Sequence, residues 1–310
     1  MRPKILLPAA LLLVFLAWPA SGTGDLTVLY PPDLTLTTDA AMKILASRIG
    51  GGPAVYVRLN GKVVAKLEGE NFLKAEVSLA PGFNLLEAGE KPVRVFLLSG
   101  SRMEQFRLTP EGGGEPLVFR SYFVHPALDE GCESCHAVEG GKLTAKDLKE
   151  ACYACHADFG KEEEGKKVYL HAPVAAGECT GCHDPHFSTR AKLQKLEKGC
   201  LECHDAFPAE GTTHRPVVDG RCTDCHGAHA GAAPKQLVRP GNALCAGCHE
   251  DPHAQHRSSV VKGKMTLVPS DFPREKEALA CLGCHFPHQS PERRLFRKSQ
   301  GELCKTCHQV

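Results

Sequence analysis

The residues that could do chemistry here are cysteine and histidine, and in this chain of 310 residues there are sixteen of each. Every cysteine belongs to one of eight Cys-x-x-Cys-His strings: Cys132/Cys135/His136, Cys152/Cys155/His156, Cys179/Cys182/His183, Cys200/Cys203/His204, Cys222/Cys225/His226, Cys245/Cys248/His249, Cys281/Cys284/His285 and Cys304/Cys307/His308. Two thiols three residues apart share one turn of chain. Both can add to vinyl groups on the same edge of a porphyrin, and the next side chain then swings its imidazole under the iron. The string is the attachment signature of c-type haem. Eight strings imply eight covalent haems, each held by two thioethers, with the motif histidine as proximal iron ligand.

Other uses of so many cysteines fit less well. A disulfide framework suits an exported chain, but has no reason to place a histidine after every second cysteine. Structural zinc uses Cys-x-x-Cys, yet needs its remaining ligands at regular offsets. A thioredoxin-like redox motif occurs once, at a strand-to-helix junction, not eight times in glycine-rich surroundings.

Eight further histidines stand outside the strings: His125, His171, His186, His214, His229, His253, His256 and His288. A lone histidine is more often a surface or core residue than a ligand. None lies before residue 125, however, and one per haem is what ligation of every iron by two imidazoles requires. These eight are therefore the candidate distal ligands. The rival sixth ligand is methionine, and the region offers only Met265. Low-spin, low-potential haems are expected, mostly or entirely bis-histidine.

Unlike halves of the chain must position these groups. Length allows about two domains. Residues 1–22 read as a secretory signal: Arg2 and Lys4, an apolar run from Ile5 to Trp18, then Ala20, Ser21 and Gly22. The run is too short to span a membrane comfortably, and no later stretch is apolar enough to do so. An exported, periplasmic or extracellular protein is expected, with no transmembrane segment after cleavage. Export also suits the chemistry, since bacterial multihaem proteins acquire their thioethers outside the cytoplasm. Formal charge is +1, but about sixteen propionates, offset by roughly one positive charge per ferric porphyrin, would make the loaded protein acidic. No basic patch argues for nucleic acid.

From residue 25 to 122 the sequence alternates apolar and polar residues between turn signals. The runs are Leu26–Tyr30, Val55–Leu59, Val63–Leu67, Leu73–Val77, Val93–Leu97 and Leu117–Phe119. Asn60-Gly61 between two of them is a type I′ hairpin signal. The spacing predicts a β-sandwich of about 100 residues, and the run from Val55 through Leu86 resembles the immunoglobulin-like modules appended to bacterial exported proteins. Docking, spacing or simple capping are its open roles.

Residues 123–310 are repetitive. Motif starts are separated by 20, 27, 21, 22, 23, 36 and 23 residues, which groups them into four two-haem units at about 125–156, 171–204, 214–249 and 253–308. Units two and three share a template, with a histidine eight residues before the first cysteine (His171, His214) and another three residues after the motif histidine (His186, His229). A trailing histidine leaves the backbone on the same side as the proximal one. His186, His229 and His288 are therefore expected to ligate a neighbouring haem. Unit one carries Glu139 at the trailing position, and unit four has His253 and His256 far upstream of Cys281. The reading leaves two outcomes: one of these crosses to a haem of unit one or three, or one haem lacks a protein sixth ligand. About 185 residues for eight haems is too little chain for an apolar core, so the macrocycles must supply it. Short helical turns are expected, for example over 145–155 and 191–203, with Pro185, Pro208, Pro252 and Pro287 denying long ones.

This layout resembles the doubled Cys-x-x-Cys-His family of bacterial multihaem cytochromes over about residues 125–310. The resemblance implies low-potential haems packed edge to edge, and electron exchange with other redox proteins such as cytochromes, a quinol dehydrogenase or an outer-membrane conduit. The leading expectation is an electron carrier and not an enzyme, with no catalytic residues. The alternative is a multihaem oxidoreductase acting through an open iron on a small nitrogen or sulfur compound or a metal ion. A third, a scaffold subunit anchoring a larger complex, and assembly into a homo-oligomer or filament, also stay open.

Overall fold

The structure, a computed structural model, describes residues 26–48, 52–89, 91–110, 113–139, 142–162, 166–208, 210–250, 269–275 and 278–308. The signal segment, His253, His256 and Met265 lie outside them. The chain divides into two compact bodies: residues up to Tyr122 with Val138–Thr144, and Phe123–Ala137 with Ala145–Val310.

The first body is built of strands β1 (Leu26–Tyr30), β2 (Thr35–Thr37), β3 (Ala41–Arg48), β4 (Val55–Leu59), β5 (Lys62–Leu67), β6 (Phe72–Ser78), β7 (Gly82–Glu87), β8 (Val93–Leu97), β9 (Gln105–Leu108) and β10 (Leu117–Arg120). A three-stranded sheet runs β1-β3-β6, and a seven-stranded sheet runs β5-β4-β7-β8-β2-β10-β9. One face of each contributes to a shared core: Met42, Ile44 and Val77 from the first, and Val57, Leu67, Leu86 and Val95 from the second. That is a sandwich, held by alternate residues pointing inward. Asn60 and Gly61 have φ of 52° and 77°, the two left-handed residues that a type I′ turn demands between β4 and β5. A second cluster packs Leu36, Phe96 and Phe119, with Phe83 edge-on to Phe119 at 6.3 Å. Most pairing is antiparallel, but β2 lies parallel to both β8 and β10.

Ladders in the second body are far shorter. Among its residues only Ala233 and Leu279 join the buried apolar set, although that set numbers 21 across the described residues. Two-residue strands β11 (Phe123–Val124), β14 (Tyr169–Leu170) and β16 (Thr212–Thr213) each lead into a unit. They pair antiparallel with β15 (Phe187–Ser188), β17 (Ala230–Gly231) and β20 (Gln289–Ser290) respectively, each of which belongs to the following unit. Hairpin β12 (His136–Glu139) and β13 (Lys142–Ala145) follows the first motif, with Val138–Thr144 grouped in the first body, and β18 (Arg274–Glu275) pairs with β19 (Ala278–Leu279) ahead of the seventh motif.

Among the described residues the helices here run to six residues at most: α1 (Leu148–Tyr153), α2 (Ala172–Ala175), α3 (Arg215–Val218), α4 (Gly241–Cys245), α5 (Cys281–Cys284) and α6 (Gln300–Lys305). Asp147 caps α1 by accepting from the Glu150 amide at 2.9 Å, and Ser299 caps α6 by accepting from the Glu302 amide at 3.5 Å while its hydroxyl donates to the Glu302 carboxylate. The stretch 191–203, where short helical turns were expected, holds two 3-10 segments, Ala191–Leu193 and Gly199–Glu202. Left-handed Lys192 and Leu193 break it. No described helix is long and apolar enough to cross a membrane.

Candidate haem ligand array

Each motif is wound as one turn. The amide of the motif histidine donates to the carbonyl of the first cysteine at 2.9–3.1 Å in seven motifs, from His156→Cys152 to His308→Cys304. In the first motif the Cys135 amide reaches the Cys132 carbonyl at 3.2 Å. A single turn puts both thiols of a pair on one side and starts the histidine from the next residue, which is the layout that thioether attachment needs.

The sixteen cysteines differ in exposure, and Cys155, Cys203 and Cys248 stand apart. These three, the second cysteines of the second motifs in units one to three, are exposed, whereas their counterparts in the first motifs, Cys135, Cys182, Cys225 and Cys284, are half-buried. The reason is local. After each first motif the chain folds back, and an amide from the returning strand or loop donates to the second cysteine's carbonyl: Lys146 to Cys135 at 3.3 Å, Lys195 to Cys182 at 3.0 Å, Val238 to Cys225 at 2.9 Å and Arg297 to Cys284 at 3.0 Å. Among the described residues no amide closes in this way on Cys155, Cys203 or Cys248. Their thiols stay on the turn that attachment needs, at the outer side of each unit. Cys200 and Cys304, first cysteines of second motifs, are exposed as well.

The free histidines answer the motif histidines in a fixed pattern. His125 faces His156 with ring centroids 6.0 Å apart and planes 13° from parallel, His171 faces His204 at 6.0 Å, and His214 faces His249 at 5.9 Å. Each leading histidine therefore meets the second motif of its own unit. The trailing histidines go elsewhere: His186 faces His136 at 6.0 Å, His229 faces His183 at 5.8 Å and His288 faces His226 at 5.8 Å. Each meets the first motif of the unit before its own.

An ion held by two imidazole nitrogens, each at about 2 Å, sets the ring centroids about 6 Å apart. The six pairs have that spacing, so the residues present fit an iron between them. When bound, haem supplies a one-electron couple at each site. Thiols to take the vinyl groups and neutral imidazoles to take the iron are both present, as c-type haem requires.

Backbone bonds fix the two kinds of distal candidate against each other. The amides of His125, His171 and His214 donate to the carbonyls of His186, His229 and His288 at 2.8, 2.9 and 2.8 Å. His214 Nδ1 donates to the Pro287 carbonyl at 3.0 Å, which orients its ring. Aromatic rings back two of the trailing histidines, with Phe159 parallel to His229 at 4.2 Å and Phe207 against His288 at 5.0 Å. Burial, then the neighbouring imidazoles, holds His125, His229 and His288 below the ordinary histidine range, a shift toward the neutral ring that ligation uses.

Cysteines mark the succession of sites. The thiols of Cys152 and Cys179 lie within hydrogen-bonding reach, as do Cys200 with Cys222 and Cys245 with Cys281. Burial, and then these neighbours, pushes the Cys152 and Cys245 thiols up to about 11. Each contact joins the second motif of one unit to the first of the next. Asn242 reinforces the last junction, accepting from the Cys281 amide at 2.8 Å and donating to the Leu279 carbonyl at 3.3 Å.

Unit one needs no trailing histidine, because a trailing histidine serves the preceding unit and none precedes it. Glu139 at that place is thereby accounted for. The expectation that His253 or His256 crosses to a haem of unit one or three is corrected: both motif histidines in each of those units already face another imidazole. His285 has its ring against Phe296 at 5.0 Å, with no second imidazole opposite it among the described residues.

The chain belongs to the doubled CXXCH motif family, whose model matches residues 125–161, 171–209, 214–258 and 273–310, just over half of its length. Four matched stretches correspond to the four units. These motifs make it a multihaem c-type cytochrome, which holds haem covalently and works in electron transfer. No curated protein matches the chain.

Proposed function

We propose that this cytochrome carries eight c-type haems, one on each motif, and conducts electrons along them in chain order outside the cytoplasm. The observation that carries the reading is the set of six facing imidazole pairs at 5.8–6.0 Å. An iron ligated on both faces can change charge but cannot bind substrate. The wire reading follows from that saturation, with low-potential, low-spin haems and no catalytic residue.

Contiguity supports conduction. Thiol contacts link the second site of one unit to the first of the next, and the paired distal strands link the two sites inside a unit. Export follows from the signal-like residues 1–22, and the loaded protein would meet other redox proteins by surface contact. The strand body, read as an immunoglobulin-like sandwich over 25–122, would act as spacer or docking module.

Covalent mass tests the reading: intact mass spectrometry should give the mature chain plus eight haems, and the oxidised protein should show low-spin ferric resonance. A chain without added porphyrin overturns it.

A second reading is the alternative the sequence left open: an oxidoreductase acting through one open iron on a small nitrogen or sulfur compound or a metal ion. A Soret shift with cyanide or nitrite, accompanied by high-spin iron, favours it over the wire.

A further inference from the structure

The first-motif histidines of units two, three and four share a device that unit one lacks. His183 Nδ1 donates to the Lys192 carbonyl at 2.8 Å, His226 Nδ1 to Lys235 at 2.8 Å and His285 Nδ1 to Arg294 at 2.9 Å. In all three the acceptor lies nine residues on. It is aimed by two successive left-handed residues: Lys192 and Leu193, Lys235 and Gln236, Arg294 and Leu295, with φ of 55–65°. The second of each pair also accepts from the residue after the motif histidine at 2.7–2.8 Å. Left-handed backbone is unfavourable for residues other than glycine. Six such residues, placed identically in three units, mark a conformation held for a purpose.

Unit one replaces this loop with the hairpin β12–β13. Its closing bond, Lys146 amide to Cys135 carbonyl at 3.3 Å, spans two residues fewer than the matching bond from Lys195 to Cys182. Among the described residues none offers a carbonyl to the first histidine: His136 Nδ1 is buried and has no hydrogen-bond partner there.

A carbonyl on Nδ1 draws the proton away from the ring, makes the imidazole a stronger donor and favours ferric iron. A ring without that acceptor is the weaker donor. One group opposes the difference: Asp184 Oδ1 stands 3.6 Å from Nδ1 of His186, the imidazole facing His136. That carboxylate already accepts the His186 and Phe187 amides at 2.9 and 3.3 Å, and water reaches both side chains. Its pull is the weaker.

Resting on the haem reading above, we propose that the haem on Cys132 and Cys135 is the most easily reduced of the four first-motif haems. His136 acts as a tuning residue through the acceptor it does not have.

The test uses the full-length, haem-loaded protein, partly reduced, with haem-methyl proton resonances assigned to their motifs. The Cys132 haem should be occupied about tenfold more than those on Cys179, Cys222 and Cys281, equivalent to 59 mV for a one-electron couple. Equal or lower occupancy overturns the proposal. In the fully reduced protein, the Nδ1 protons of His183, His226 and His285 should exchange slowly with solvent and that of His136 fast; equally slow exchange at His136 also overturns it. Asp184→Asn should raise the occupancy of the Cys132 haem further, and a fall counts against the proposal. Absence of porphyrin mass on the Cys132 peptide would defeat the haem reading itself, whereas haem present there with the order reversed defeats only this inference.

Discussion

The amide of His125 donates to the carbonyl of His186 at 2.8 Å, although one belongs to unit one and the other to unit two. Their rings face His156 and His136, the two motif histidines of unit one. Unit one is thus completed by a residue of its successor. His186→Ala should leave the Cys132 haem without its sixth ligand while the Cys179 haem stays low-spin. Electron paramagnetic resonance should report a high-spin ferric fraction near one iron in eight, and haem-methyl shifts should place it on the first motif. A change confined to the Cys179 haem would contradict the donation scheme.

Buried apolar side chains lie overwhelmingly in the strand body, with Ala233 and Leu279 the exceptions among the described residues. The haem-bearing body then has no core of its own until the macrocycles arrive. Protein made without haem attachment should show residues 123–310 cut rapidly by protease, while the strand body survives with a cooperative melting transition. Equal protection of both bodies would refute this.

Asn84 is fully buried and holds the β6–β7 turn together. Its Nδ2 donates to the Ala80 and Gly82 carbonyls at 2.7 and 3.0 Å, and its Oδ1 accepts from the Ala80 amide at 2.9 Å and Asn60 Nδ2 at 3.0 Å. Asn84→Leu strands those partners in the interior. The strand body should lose about 2–3 kcal/mol, read from denaturant unfolding, with haem spectra unchanged.

Asp33 reports on acid. Burial pushes its carboxyl up, but the Arg94 side chain and amide, through hydrogen bonds and charge, outweigh this and hold it below the usual carboxylate range. A folded value below the unfolded one contributes stability that is complete above about pH 4 and is lost as pH falls through the folded value. Asp33→Asn should therefore cost about 0.5–1 kcal/mol at pH 7 and flatten the acid limb of the stability curve below pH 4. An unchanged acid limb would show that another group controls it.

Strands with clean alternation were legible residue by residue, as in Val55–Leu59 and Val93–Leu97, which the structure reproduces with the same ends. Strand β3 was not, because its buried positions include adjacent Ile44, Leu45 and Ala46 and end on buried Arg48, which breaks the period of two. In the haem region the motifs were legible from spacing alone, since a covalent attachment site is local. The different exposure of Cys155, Cys203 and Cys248 was not, because it depends on where the chain goes after the motif and the strings themselves are alike. Which histidine faces which was hidden too, because it depends on two-residue strands too short to carry a pattern. One signal was present: Glu139 in place of a trailing histidine in the first unit alone is what donation to the preceding unit leaves behind. The left-handed pairs at Lys192, Lys235 and Arg294 had no signal, as none contains glycine or asparagine.

Hairpin β12–β13 at one end and the β18–β19 pair at the other stand where an internal unit would meet a neighbour. A middle unit both lends an imidazole backward and borrows one from ahead. Gene duplication that copies a middle unit would lengthen the conductor and leave both termini as they are, whereas deleting the final unit would strip a ligand from the one before it. The array can evolve in length from within, and its ends are the parts least free to change.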